Sequence, residues 1–172
     1  MTAGANSAEF VISRVFDAPR DLVWRAFTEA EHLKHWWGPK GFKMLSATLD
    51  LRPGGIFHYG MQAPNGGVMW GKWLFREIVA PERLTFNVSF SDENGGITRN
   101  PFAPSWPMEM LGTSTFADQG SKTLVTTMTV AFNATEGERK IFEAGFVGME
   151  EGFTDTFDQL TAYLSSFTPK AA

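Results

Sequence analysis

The sequence predicts an α+β fold in which a curved antiparallel sheet of about seven strands wraps a long C-terminal helix, with two short helices after the first strand. Three observations predict it. Between Phe42 and Phe132 the chain reads as a succession of strand-type runs separated by Pro, Gly and Asn turn clusters. Each run has a polar and an apolar face, as expected for an antiparallel sheet that is wet on one side. From about Thr135 to Ser166 the spacing changes to that of a helix with an apolar stripe, the element that must cover the other side.

The elements follow in order. Phe10–Phe16 is rich in β formers and reads as a strand ended by Ala18-Pro19. Pro19 suits the first turn of a short helix, Pro19–Thr28, with Asp17 as its expected cap and Leu22, Val23, Ala26 and Phe27 at helical spacing. Thr28-Glu29-Ala30-Glu31 has the form of a capping box and predicts a second short helix ending near Trp36-Trp37-Gly38-Pro39. Phe42–Asp50 is extended and Arg52-Pro53-Gly54-Gly55 is a turn. Ile56–Met61 puts Phe57, Tyr59 and Met61 on one face, with His58 outward. After the loop Ala63–Gly67, Val68–Val79 puts Met69, Gly71, Trp73 and Phe75 on one face and Lys72 and Arg76 on the other. Arg83–Phe90 alternates most cleanly, with Leu84, Phe86, Val88 and Phe90 inward and Arg83, Thr85, Asn87 and Ser89 outward.

Ser91–Pro107 is the longest break, and long loops in compact domains tend to carry function. Two strands follow. On Met108–Phe116 the inward residues are read as Met108, Met110, Ser114 and Phe116; on Thr123–Phe132 they are read as Leu124, Thr126, Met128, Val130 and Phe132. The final helix opens with the capping box Thr135–Glu138. Its apolar stripe runs Phe142, Phe146, Met149, Phe153, Phe157, Leu160 and Leu164. Beside it lie Gly145, Gly148 and Gly152, each costing roughly 0.8–1 kcal/mol relative to Ala in a helix. Two explanations stand open: another backbone packs closely there, or the smooth strip is one wall of a cavity. One folded domain over residues 9–167 is expected, between a disordered tail at 1–8 and a short tail at 168–172.

Composition narrows the function. The 172 residues carry a net charge of −4, with no basic surplus for nucleic acid, so no nucleic-acid partner is expected. No apolar run is long enough to span a bilayer and no signal pattern opens the chain, so no membrane association and a cytoplasmic location are expected. Cysteine is missing, which removes disulfides, thiol chemistry and thiolate metal sites. The 16 Phe, 6 Trp, 2 Tyr and 8 Met bring much apolar area with few hydroxyls to satisfy. Such a chain has a very thick core or a core with an apolar hole in it.

The element order resembles the START-like, helix-grip (SRPBCC) superfamily. Local blocks are similar to its branch of activator of heat-shock protein 90 ATPase homologue-like proteins. These are Arg14–Pro19, Val23-Trp24, Trp36–Pro39, Asp50–Gly55, Glu77–Leu84, Gly148–Phe153 and Leu160–Leu164. The resemblance covers about residues 9–166, nearly the whole chain. It implies a cavity between sheet and helix that holds a small, mostly hydrophobic molecule. The candidate lining is Phe57, Tyr59, Met61, Met69, Trp73, Phe75, Phe86, Met108 and Met110 on the sheet, and Gly145, Met149 and Phe153 on the helix. Trp36, Trp37 and Trp106, with Phe102 and Pro104, are candidates for the cavity mouth.

Two alternatives accompany this reading. A cyclase- or hydrolase-type enzyme would need an ionisable group inside the cavity, for which Arg14, Asp50, Glu77 and His58 are the candidates. A chaperone partner is implied by the family name, but the eukaryotic activator carries its main stimulatory motif on a separate N-terminal domain, for which a first strand starting near residue 9 leaves no room. It is therefore the least expected partner. His32 and His35 share a helix face without a third ligand, and no phosphate loop or nucleophile elbow occurs, so no metal and no cofactor are expected. A homodimer through the Ser91–Pro107 loop is the remaining partner expectation.

Overall fold

A computed structural model describes residues 8–167; the two predicted tails therefore lie outside the described residues, apart from Ala8. In chain order the elements are β1 (Glu9–Phe16), α1 (Arg20–Thr28), α2 (Ala30–Trp36), β2 (Lys43–Leu49), β3 (Ile56–Gln62) and β4 (Val68–Val79). Then come β5 (Arg83–Ser91), β6 (Ile97–Thr98), β7 (Glu109–Gln119), β8 (Lys122–Phe132), α3 (Glu136–Ala144) and α4 (Phe146–Ser165). The strands form one antiparallel sheet in the order β1-β8-β7-β5-β4-β3-β2, with β6 attached to β5. Register shifts at Met44/Ser46 and Phe75/Glu77 bend β2 and β4, as bulges do, and help the sheet curl. The predicted α+β helix-grip architecture is thus present. The short β6, inside the stretch read as an unbroken loop, brings the strand total to eight.

The concave face can be followed rung by rung. Phe57 pairs with Trp73, Trp73 with Val88, Val88 with Met110, and Gly112 with Thr129, which pairs with Phe10 at the β1 edge. Helix α4 lies against this face. Phe157, Leu160 and Leu164 are buried, and Phe157 meets Phe16 edge to face at 5.5 Å. Helices α1 and α2 close one end of the sheet, where Val23, Leu33 and Trp36 are sealed from solvent. Trp36 satisfies its indole by donating Nε1–H to the Ala26 carbonyl at 3.0 Å.

Four local expectations are corrected. The terminal helix is not continuous: it breaks at Gly145 (φ −88°, ψ 1°), where the Trp106 ring lies so close that a Cβ would be 2.6 Å from it. Glycine is a common site of such a break, and here it also makes room for the ring. Second, α1 and α2 start at Pro19 and Glu29 without side-chain caps; Asp17 does not cap, and Thr28 instead donates its hydroxyl back to Trp24. The Thr135–Glu138 capping box is present as read. Third, Asn87 and Ser89, read as outward and wet, are buried: Arg76 bonds Asn87 and stacks its guanidinium over Phe132 at 5.0 Å, covering that face.

The fourth correction is β8, which is turned by one residue. Thr123, Val125, Thr127 and Thr129 are buried, and Leu124, Met128 and Val130 face the convex side beside Val15 and Val11. Both faces of this strand mix Thr with apolar residues and suit a pleated surface, so hydrophobicity alone sets the register weakly. The interior accepts the threonines because hydroxyls find partners there. Thr123 donates to the Ala18 carbonyl at 2.8 Å and Thr127 pairs with Ser114 at 3.0 Å.

Candidate functional site

Between the concave face and α4 the packing leaves two adjoining chambers. The outer one, of about 300 Å³, is bounded by the Trp37-Gly38-Pro39 turn, strands β3 to β5 and the α4 residues Met149, Gly152, Phe153 and Thr156. The inner one, of about 70 Å³, lies deeper against β5, β7 and β8. Trp37, Val88, Met110, Met149 and Phe153 border both and form the partition.

The space arises from ring–glycine pairs across strands. Tyr59 lies over its β4 partner Gly71, where a Cβ would be 2.5 Å from the hydroxyl. Phe86 lies over its β7 partner Gly112, where a Cβ would be 3.2 Å away. A ring laid flat over a missing side chain covers the sheet without filling the volume above it. On the next rung the same device faces outward, with Trp70 over Gly60. Gly152, on α4, has nothing within 4 Å of where its Cβ would be. Its strip is open rather than packed against backbone.

The polar groups are few. Burial pushes the Tyr59 phenol up to about 12, so it stays protonated and neutral. The Trp37 indole N–H partly opposes that rise, yet it falls short of hydrogen-bond geometry and remains unpartnered. Trp73 Nε1 is unpartnered too. The Gly38 carbonyl accepts from Thr156 Oγ1 at 3.1 Å and from Gln159 Nε2 at 2.6 Å, clamping the turn to α4. Gly38 itself has φ +115°, and a Cβ there would run into the Met61 sulfur.

At the mouth, Trp106 packs on Phe142 at 5.4 Å and over Gly145, while Asn100 lines the opening. Arg99 ties this loop to the first turn of α3 by an ion pair with Glu138. The Arg99 guanidinium and the Thr135 amide hold the Glu138 carboxyl below the usual carboxylate range.

Of the residues read from the sequence as candidate lining, Trp37, Tyr59, Met61, Met69, Trp106, Met110, Met149 and Phe153 border the outer chamber, and Trp73 and Phe86 border the inner one. Five lie elsewhere. Trp36 is packed on Phe27 in the helical end, and Phe57 and Phe75 are filled core around Trp73. Met108 precedes β7 and is 37 % exposed, and Gly145 sits under Trp106 outside both chambers. Phe102 is 75 % exposed and Pro104 lies in a separate polar cleft with Arg99 and Glu138. Sequence reasoning missed Thr127 and Thr129, which line the inner chamber, because the reading of β8 is off by one residue; Ser114, read as inward on β7, lines the same chamber without having been a candidate.

The ionisable candidates are engaged away from the chambers. Arg14 pairs with Asp158 at 2.7 Å, Asp50 with Arg52 at 2.7 Å, and Glu77 with Arg83 at 3.0 Å. His58 stacks on Trp70 at 5.1 Å, with Nε2 3.1 Å from the Asp92 carbonyl. His32 bonds the Tyr163 hydroxyl at 2.6 Å and His35 stacks on the same ring. Among the described residues no cluster of three His, Asp or Glu is placed to hold a metal ion, and no helix is long and apolar enough to cross a membrane. The arrangement can enclose an apolar body between walls that carry no charged side chain.

Residues 17–165 match the model of a family described as activator of Hsp90 ATPase homolog 1-like protein. Solved structures agree over nearly the whole chain. A Nitrosomonas europaea protein is 29 % identical with a TM-score of 0.73, covering 96 % of this chain and 97 % of its own. An Arthrobacter aurescens protein is 30 % identical with a TM-score of 0.73, covering 92 % and 86 %. An AHSA1 protein from Silicibacter pomeroyi, 16 % identical with a TM-score of 0.72 over 94 % and 100 %, shares the fold. No curated protein matches the chain.

Proposed function

The chain belongs to the family of activator of Hsp90 ATPase homologue 1-like proteins, a START-like branch, and from that premise we propose that it binds a small, mostly apolar molecule between the sheet and α4. The observation that carries this reading is the outer chamber. Its volume of about 300 Å³ falls at the lower end of the roughly 300–1,000 Å³ usual for ligand pockets. Its walls are Trp, Phe, Tyr and Met with a few polar groups, the composition such pockets share. The methionines Met61, Met69, Met110 and Met149 give walls that adapt to the shape of a guest. Ligand binding is favoured over catalysis because Arg14, Asp50, Glu77 and His58 all have partners outside the chambers.

Titration with Nile red, an uncharged hydrophobic dye, tests the proposal. Saturable binding to the wild type that is lost in Gly152→Leu, which projects a side chain into the open strip, is the expected result. Binding that does not saturate, or is unchanged in Gly152→Leu, would overturn it. Mass spectrometry of what co-purifies with the wild type and not with the variant then identifies the natural guest.

A further inference from the structure

Resting on the reading of the chambers as a ligand site, the balance of their hydrogen-bonding groups says what kind of molecule they take. Trp73 lines the inner chamber, is 1 % exposed, and its Nε1 has no partner. Trp37 lines both chambers, and its Nε1 has no partner either. The two indoles meet edge to face with centroids 4.9 Å apart. An indole N–H donates and cannot accept. Nearby, the Ser114 and Thr127 hydroxyls share one hydrogen bond of 3.0 Å. Two hydroxyl hydrogens and one bond leave a further hydrogen to give. The hydroxyls keep lone pairs as well, so the groups that can only donate, and have nothing to donate to, are the two indoles. No Asp, Glu, Lys, Arg or His lines either chamber.

We propose that the chambers take an uncharged molecule with an apolar body and a hydrogen-bond acceptor, such as a carbonyl oxygen, seated at the corner where Trp37 meets Trp73. Buried donors left unpaired carry a standing desolvation cost, which the acceptor removes. A hydrocarbon fills the same space and leaves both indoles unpaired. A carboxylate satisfies them but surrenders its hydration with no cation to compensate. The Ser114, Thr127 and Thr129 wall belongs to the same feature, since it makes the deepest part of an otherwise apolar interior polar.

Three probes of nearly equal shape separate these cases by isothermal titration calorimetry: acetylnaphthalene, ethylnaphthalene and naphthoate. The ketone is expected to bind about tenfold or more tighter than the hydrocarbon, with the carboxylate weakest. In proton–nitrogen correlation spectra the Trp37 and Trp73 indole signals shift with the ketone and not with the hydrocarbon. Trp37→Phe and Trp73→Phe, checked for folding by circular dichroism, are expected to shrink the preference for the ketone, because each removes a donor and keeps a ring.

Equal or tighter binding of the hydrocarbon, tighter binding of the carboxylate, or a preference unchanged in both variants overturns the acceptor inference alone. So does Nile red binding without binding of any naphthalene. Failure of every naphthalene and of Nile red removes the ligand site itself.

Discussion

Gly152 is where the competing explanations of the helix glycines separate. A glycine inside a helix sacrifices roughly 0.8–1 kcal/mol relative to Ala. At Gly145 that loss is explained by the Trp106 ring, but at Gly152 nothing within 4 Å forbids a side chain. Gly152→Leu is therefore expected to raise stability by up to about 1 kcal/mol in urea unfolding while abolishing dye binding. Lower stability would mean that the strip is packed after all. Tyr59 supplies a pH test. Its folded pKa is about 12 against 10.0 for an ordinary phenol, so above pH 10 the unfolded chain loses this proton first. The contribution is whole below that pH and fades as pH rises through the window up to about 12. The loss is on the order of 2–3 kcal/mol. Comparing urea midpoints near pH 9 and near pH 11.5, Tyr59→Phe should lose less stability than the wild type. An equal loss in both would place the phenol in contact with solvent. Both residues stand out in the sequence, Tyr59 by alternation and Gly152 by its helical stripe. Neither Tyr59's glycine partner across the strands nor the emptiness beside Gly152 can be read there.

At the scale of elements, the joint between α3 and α4 is the feature that periodicity hid. The apolar stripe continues in phase from Phe142 through Phe157, so spacing alone describes one long helix. The break depends on a ring arriving from the Asn100–Trp106 loop, whose neighbours in space are far away in sequence. Gly145→Val should displace Trp106 and cost roughly 1–3 kcal/mol, read as a lower urea midpoint. An unchanged midpoint would show that Trp106 does not depend on that close approach. Strand β8 teaches the same lesson through polarity. Thr123 and Thr127 can be buried because the Ala18 carbonyl and Ser114 stand where their hydroxyls reach. Capping at Thr135 was legible because its two partners lie three residues apart.

At the scale of the whole molecule, the sheet and α4 enclose a volume that a ligand would fill, and filling links to stability. A guest that binds only the folded state adds about 2.7 kcal/mol at a hundred times its dissociation constant. Saturating Nile red is accordingly expected to raise the melting temperature of the wild type and to leave Gly152→Leu where it was; equal shifts in both would mean that the dye binds outside the chambers. The order of elements, the inward faces of β3, β4 and β5, and the aromatic character of the interior follow from the sequence alone. Each depends on periodicity or composition, which are local properties of the chain. Which rings lie flat over glycines, which way β8 faces, where the last helix breaks and which indoles lack partners were decided by the tertiary structure. Those outcomes are set by contacts between residues far apart along the chain, whose geometry no local pattern encodes.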